Sequence, residues 1–384
     1  MYLEIPEDIQ LIKDNVRRLV NDKIAPRAME IDESNEYPWD IRKILSEQGL
    51  FALHFPEQYG GVDGRWLAFC VAIEEIARGS AAVSMMYGAQ PLGTGALCFF
   101  GSEEQKAKYI PKFASGELIP AFGVTEPNAG SDIAGIQTTA VRRDDEYVIN
   151  GRKCFITQGN IADIIGVAAK TIDPETGKKN LSLFIVEKGT PGLSYGTVEK
   201  KMGLHGSPTA ELIFEDVRVP VSNRIGAEGE GFKMLMRVMD RSHIMVGAQC
   251  IGIAQGALDE AVKFARTRVQ FGQPISKFQG VQFLLAEMQT LLEASRHLVY
   301  DAANRWDQQI EPIAQHSAIA KLFSSEACVR ITDMAVQVLG GYGYMREYQV
   351  ERMMRDAKHS TLVEGASQIQ KLIIARNLLG REYA

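Results

Sequence analysis

The chain has 384 residues, 46% of them hydrophobic, with 42 basic against 48 acidic side chains and a formal net charge of −6. That length accommodates two or three domains around a large buried core. The acidic balance argues against a nucleic-acid surface and a polybasic membrane patch, and no apolar run approaches the ~20 residues of a spanning helix, so neither nucleic acid nor membrane is expected as a partner.

The chain opens on an amphipathic pattern (Ile9, Ile12, Val16, Leu19, Val20) flanked by charges. It lacks the basic, apolar, small-residue order of a signal peptide, which predicts a cytoplasmic protein, though a mature organellar form gives the same reading. Residues 1–118 read as an N-terminal helical domain, with apolar positions three and four apart and Gly or Pro between the runs. Residues 67–77 are apolar on more than one side and predict a buried helix; Ser102, followed by Glu103 and Glu104, is the N-cap expected of another. Cys70, Cys98, Cys154, Cys250 and Cys328 are scattered, without a Cys-x-x-Cys pair or a neighbouring histidine. They read as buried small hydrophobes in a reducing compartment, with no metal site and no disulfide framework.

From residue 119 to 230 the texture is that of β structure. Residues 119–124 end a short strand, and Tyr147 to Ile156 carries two β-rich runs joined by Asn150-Gly151, which predicts a hairpin. Residues 164–169, 181–186 and 211–219 are further strands, with an exposed turn over 173–177, giving a compact antiparallel, β-barrel-like middle domain. From 231 to 384 the helical period returns. Val281, Leu284, Leu285, Met288, Leu291, Leu292, Ser295, Leu298 and Val299 form one stripe, as in a C-terminal four-helix bundle. The expected fold class is therefore α+β.

Four stretches combine residue types that chemistry uses. Phe122-Gly123-Val124-Thr125-Glu126-Pro127-Asn128-Ala129-Gly130-Ser131-Asp132 is a loop that brings backbone N–H groups and small hydroxyls close to a ligand, and its composition equally suits an ordinary turn. Lys153-Cys154-Phe155-Ile156-Thr157-Gln158-Gly159 sets an aromatic ring two residues from a hydroxyl, and residues two apart on a strand share a face. Arg266-Thr267-Arg268-Val269-Gln270-Phe271-Gly272 with Phe278-Gln279, and the later Gln337-Val338-Leu339-Gly340-Gly341-Tyr342-Gly343, offer guanidinium donors and glycines suited to a pyrophosphate, or a charged helix end and a Gly-rich cap. Gly340 follows a helical pattern, so this is no Rossmann fingerprint. In Val363-Glu364-Gly365-Ala366-Ser367-Gln368-Ile369-Gln370 one carboxylate sits among small and apolar residues, an environment that raises its pKa and suits a general base, although Glu before Gly is also a common solvated turn.

Taken together, these stretches resemble the acyl-CoA dehydrogenase family, and the resemblance covers the whole chain. It implies FAD as cofactor and an acyl-CoA thioester as substrate, with Glu364 removing the α-proton while the β-hydride passes to flavin N5. It places Phe122, Val124, Thr125, Ser131, Phe155, Thr157, Ala366 and Gln368 at the cofactor, and Ser131, Asp240, His243 and Gly365 on the substrate side. Arg268, Phe271, Gln279, Gln337, Gly340 and Gly341 are expected to reach the adenosine diphosphate of a neighbour's FAD, which implies a homotetramer. Electrons are expected to pass to an electron-transferring flavoprotein. An oxidase using O2, or an idle CoA-binding member of the same fold, are the alternatives. The stretches 201–209, 214–220 and 224–232 match as structural hallmarks. Two departures stand out: Phe155 replaces the family's usual Trp, and His243 replaces its usual Arg. If His243 lines the site, it is a candidate to adjust the charge felt by Glu364 near neutral pH. Val363, smaller than the Tyr of some straight-chain enzymes, leaves room for a bulkier acyl group.

Overall fold

In the computed structural model, which describes residues 5–62, 64–172 and 177–380, the N-terminal part forms helices α1 (Glu7–Leu19), α2 (Ala28–Ser34), α3 (Trp39–Glu47), α4 (Trp66–Gly79), α5 (Ala81–Phe100) and α6 (Glu103–Ala114). Helix α1 buries Ile9 and Val16 on one face, as the spacing predicts. Ser102 caps α6 through a full capping box: its hydroxyl accepts from the Gln105 N–H while the Gln105 side chain accepts from the Ser102 N–H. Two N–H groups that the first turn would leave unbonded are thereby satisfied.

Eight strands follow: β1 (Pro120–Gly123), β2 (Thr139–Arg143), β3 (Glu146–Thr157), β4 (Ile164–Ile172), β5 (Lys179–Glu187), β6 (Leu193–Val198), β7 (Thr209–Pro220) and β8 (Arg224–Ile225). They form one sheet in the order β6-β7-β3-β2-β4-β5-β8, with β1 beside β4. Pairing is antiparallel except where β4 meets β1 and β2.

The predicted hairpin at Asn150-Gly151 does not form. β3 runs unbroken through it because β7 pairs with both halves, and the register shift between Ile149 and Gly151 makes the dipeptide a bulge. Asn150 exchanges two hydrogen bonds with Asp216 of β7, at 3.0 and 2.8 Å. Gly151 passes so close to Thr138 that a Cβ would lie 2.4 Å from its hydroxyl. The hairpin turn is at Asp144-Asp145, between β2 and β3, with Asp144 in left-handed backbone (φ 52°). The turn expected over 173–177 lies, apart from Gly177, outside the described residues.

The C-terminal part consists of α7 (Gly231–Thr267), a small β9 (Val269–Gln270) and β10 (Gln273–Pro274) pair, α8 (Gln279–Asp307), α9 (Ile313–Leu339), α10 (Gln349–His359) and α11 (Ser367–Leu379). One core joins Ile73 and Ile76 of α4 to Ile244 and Ile251 of α7, Leu292 of α8 and Ile331 of α9. Being enclosed by that core explains why α4 is apolar on nearly every side. On α8, Met288, Leu292, Ser295 and Val299 are buried, whereas Val281, Leu284 and Leu285 are only half-buried. The sheet has its own core around Ile149, Val167, Phe184 and Leu212. A third cluster, containing Leu97, Phe113, Phe122, Leu183 and Val238, fills the junction where α5, α6, the sheet and the start of α7 meet. Among the described residues no helix is long and apolar enough to cross a membrane.

Candidate active site

Glu364 lies in the turn between α10 and α11 with φ of 50°, followed by Gly365 at 84°, so two successive residues adopt left-handed backbone. Their carbonyls are both engaged. The Glu364 carbonyl accepts from His243 Nε2 of α7 (2.8 Å) and from Gln370 Nε2 of α11 (3.3 Å). The Gly365 carbonyl accepts from Lys321 Nζ of α9 (2.8 Å) and from the same Gln370 nitrogen (3.0 Å). A Cβ at residue 365 would lie 2.9 Å from Gln370 Nε2, on left-handed backbone that favours glycine, so any larger residue must displace that amide. A carbonyl can only accept, so His243 carries its proton on Nε2; its Nδ1 is buried without a partner.

The carboxyl of Glu364 is treated differently from the carbonyl beside it. Its Oε2 is closed off from solvent and has no hydrogen-bond partner. Burial pushes its pKa up to about 7, against a downward pull from the Lys321 ammonium. A carboxyl that loses its proton near neutrality and is not tied to a donor is equipped to take a proton from carbon.

The loop over 122–132 is fixed to β3. Cys154 N–H donates to the Thr125 carbonyl (2.9 Å), and Lys153 Nζ donates to the Val124 carbonyl (3.0 Å) and to Glu126 Oε1 (2.7 Å). Glu126 also accepts from the N–H groups of Gln137 and Thr138 and from the Thr138 hydroxyl. Burial raises the pKa of Glu126, but the hydrogen bonds from Lys153, Thr138 and Gln137 outweigh it and hold the carboxyl below its ordinary value. Lys153 is 0% exposed; desolvation, partly offset by Glu126, brings its pKa down to about 8. Val124 and Thr125 stay half-exposed at the mouth of this loop and Ser131 is exposed, while the Phe122 ring turns into the core against Gly166.

A second bulge in β3, between Lys153 and Ile156, places Phe155 in left-handed backbone (φ 59°), with the residue 64% exposed. Simple strand alternation therefore does not carry through this segment. Phe155 is nevertheless exposed and Thr157 half-buried, on either side of the buried Ile156.

Helix α7 links the loop to Glu364. Val124 and Met239 pack against the same apolar cluster, and His243, one helical turn beyond Met239, bonds Glu364. Asp240 is half-buried, and burial, with Arg237 pulling down and Glu311 pushing up, sets its pKa at about 6. Arg241 is buried between the Trp66 and Phe99 rings, with its guanidinium 4.8 and 4.4 Å from their centroids, and donates to the Pro91 carbonyl. The expectation that His243 adjusts charge near neutral pH fails. Desolvation, with Lys321 adding to it, takes the His243 pKa down to about 4, so the ring is neutral and acts as a donor to backbone.

At the far end of α7 a cleft of about 450 Å³ is lined by Arg268, Gln270, Gly340, Gly341, Tyr342 and neighbouring apolar residues. Arg268 lies over the Tyr342 ring at 5.0 Å. Two segments distant in sequence thus meet here. Gln279 and Gln337 are exposed at the adjoining helix ends, and Phe271 is 93% exposed in left-handed backbone (φ 51°).

The family models for the acyl-CoA dehydrogenase N-terminal, middle and C-terminal domains match residues 6–117, 121–217 and 229–379. The chain belongs to the acyl-CoA dehydrogenase family. Members of this family are FAD-dependent oxidoreductases that act on acyl-CoA thioesters. The chain is 43% identical over 379 residues to an acyl-CoA dehydrogenase of Bacillus subtilis, covering 98% of this chain and 100% of that protein. It is 44% identical over 377 residues to cyclohex-1-ene-1-carbonyl-CoA dehydrogenase of Syntrophus aciditrophicus, covering 98% and 91%. Butyryl-CoA dehydrogenase of Megasphaera elsdenii superposes with a TM-score of 0.95 at 41% identity, covering 99% and 100%. A chain in a structure described as an electron transferring flavoprotein of Acidaminococcus fermentans gives 0.96 at 43% identity, again covering 99% and 100%.

Against this acyl-CoA dehydrogenase background, several residues of the site, Lys321, Gln370, Lys153 and Glu126 among them, were not singled out from the sequence for any role. Lys321 falls on the buried stripe of α9, with Ser317, Ser324 and Cys328, and a lone lysine on an apolar stripe is the signal that exposes it. Lys153 and Glu126 lie inside stretches that drew attention for other residues, and only the fold shows that they pair. The segment 201–209 proves to be structural. Leu204 N–H donates to Asp356 of α10 at 2.6 Å, and Arg355 of α10 donates to Asp32 of α2 at 2.6 Å, with His205 on the same Asp32.

Proposed function

We propose that the protein carries out FAD-dependent α,β-dehydrogenation of an acyl-CoA thioester, with Glu364 as the base that removes the α-proton. The observation that carries this reading is the Glu364 carboxyl, whose Oε2 is closed off from solvent without a partner and whose pKa burial raises to about 7. Its backbone N–H has no acceptor among the described residues, which suits it to hydrogen-bond the thioester oxygen as negative charge develops there. Carbonyl polarisation makes the α-proton removable, and the buried carboxylate then takes it.

The residues present fit the cofactor. Val124, Thr125, Phe155 and Thr157 offer an accessible aromatic ring, a hydroxyl and backbone for a flavin, and the orphaned carboxyl oxygen needs a ligand to face. Arg268, Gly340 and Gly341, with Phe271, Gln279 and Gln337 beside them, suit an adenosine diphosphate. When bound, FAD supplies the acceptor for the β-hydride. The cleft at Arg268 lies roughly 37 Å along α7 from His243, at about 1.5 Å per residue. That span is too long for one cofactor to bridge within a subunit, which favours a FAD shared between subunits of a homotetramer. Ser131, Asp240 and Gly365 are assigned to the CoA thioester side, an electron-transferring flavoprotein to the role of acceptor, and the cytoplasm to the compartment.

Glu364→Gln tests the assignment. The variant should keep its flavin absorption bands and lose about 10⁴-fold in turnover, the upper range for a general base. Full turnover in a flavin-replete Gln variant would refute the role. Anaerobic titration with a panel of acyl-CoA thioesters, read as flavin bleaching, identifies the acyl group, and substrate-dependent peroxide separates a dehydrogenase from an oxidase.

A further inference from the structure

A residue with a Cβ resists left-handed backbone, so Glu364 needs restraint to stay there. Three helices supply it. Lys321 from α9, His243 from α7 and Gln370 from α11 all donate to the two carbonyls at 364 and 365, and none of them donates to the carboxyl. Lys321 is the telling member. It is fully buried, yet its ammonium is directed to the Gly365 carbonyl and forms no ion pair with Glu364. Had it bonded the carboxylate directly, it would have stabilised the ionised form and made Glu364 a poor base.

We propose that Lys321 and His243 are positioning residues for the base: they hold the Glu364–Gly365 backbone through its carbonyls, and Lys321 sets the charge felt by the carboxylate without binding it. The inference rests on Glu364 being the base. Lys321 is the one charged group that acts on the Glu364 carboxyl among the described residues. Its own neighbours are Cys250 of α7 and Glu326 of α9. His243 of α7 and His359 at the end of α10 are both desolvated and neutral at pH 7, and α11 contributes the uncharged Gln370. The His at 243 therefore keeps the donor and leaves out a second cation.

The test uses the flavin-loaded enzyme, with infrared titration of the Glu364 carboxyl (identified by its loss in Glu364→Gln) alongside kcat, KM and flavin content. Lys321→Met should retain flavin, change KM less than about threefold and lower kcat about a hundredfold, the effect of a misplaced catalytic group. The carboxyl midpoint should rise by about one pH unit as the neighbouring cation is lost, and Lys321→Arg should return it. His243→Leu should lower kcat and leave the midpoint in place, because the ring it removes is neutral. His243→Arg should lower the midpoint by about one unit, and it keeps the idea testable should Lys321→Met not fold. A merely structural role would reduce flavin content or thermal stability without moving the midpoint. Unmoved midpoints in Lys321→Met and His243→Arg, or in His243→Arg alone if the Met variant does not fold, overturn the proposal. Full turnover in Glu364→Gln would instead sink the base assignment, so the two failures are distinguishable.

Discussion

Two glutamates in this molecule each have a lysine close by, and they end in opposite states. Glu126 receives Lys153 Nζ directly at 2.7 Å, together with two backbone N–H groups and a hydroxyl, and its pKa falls. Glu364 has Lys321 beside it, but that lysine is spent on a neighbouring carbonyl, the carboxyl Oε2 is left bare, and its pKa rises to about 7. The first arrangement fastens a loop, and the second leaves a carboxyl that can take up a proton near neutral pH. The lesson is that the count of donors on the carboxylate, more than the presence of a cation, decides which one a buried glutamate becomes.

The comparison can be broken from the structural side first. Lys153→Met leaves Glu126 buried without its counter-charge and is expected to cost about 3–5 kcal/mol, measured by denaturant unfolding. A loss under about 1 kcal/mol would show that the pair does not secure the loop. Gly365→Ala is expected to cost about 1–3 kcal/mol, because the left-handed φ is strained for alanine and Gln370 must move. Flavin content should hold while kcat falls. An alanine variant with unchanged stability and rate would mean that the grip on the 364–365 carbonyls is slack.

The smallest effect sharpens the contrast through pH. Glu364 binds its proton more tightly in the folded state than the ordinary carboxyl, so its contribution to stability is complete below about pH 4.5 and is lost as pH rises through about 7. Glu364→Gln should therefore melt higher than the parent at pH 8 and match it at pH 4. Glu126 is shifted the other way, so its contribution is present above the ordinary carboxylate range and is lost as pH falls. Glu126→Gln should be destabilised most at neutral pH, with the gap narrowing in acid. Calorimetry across pH 4 to 8 reads both, and parallel curves for the two variants would end the distinction. With Glu364 as the proposed base, turnover of the parent should rise with pH and level off above about 7, once that carboxyl is ionised.

Much of this was legible in the sequence where the signal was local. The capping box at Ser102, the buried α4, the stripe on α8 and four of the strands all follow from short-range pattern. The Asn150-Gly151 hairpin was misread because turn propensity says nothing about whether another strand lies opposite, and β7 does. His243 was visible as a departure from the family, but its neutrality depends on how deeply α7 is enclosed.

By itself the sequence determined the residue types available: one carboxylate amid small neighbours, a ring and hydroxyl two apart, arginine and glycines at helix ends, and apolar periods that select helix or strand. Those follow from covalent geometry and from burying apolar surface, which act over a few residues. Tertiary structure alone decided which lysine bonds a carboxylate and which bonds a carbonyl. That choice arises from distances between helices and strands far apart in the chain, and over such distances the cost of desolvation decides the charge of each group.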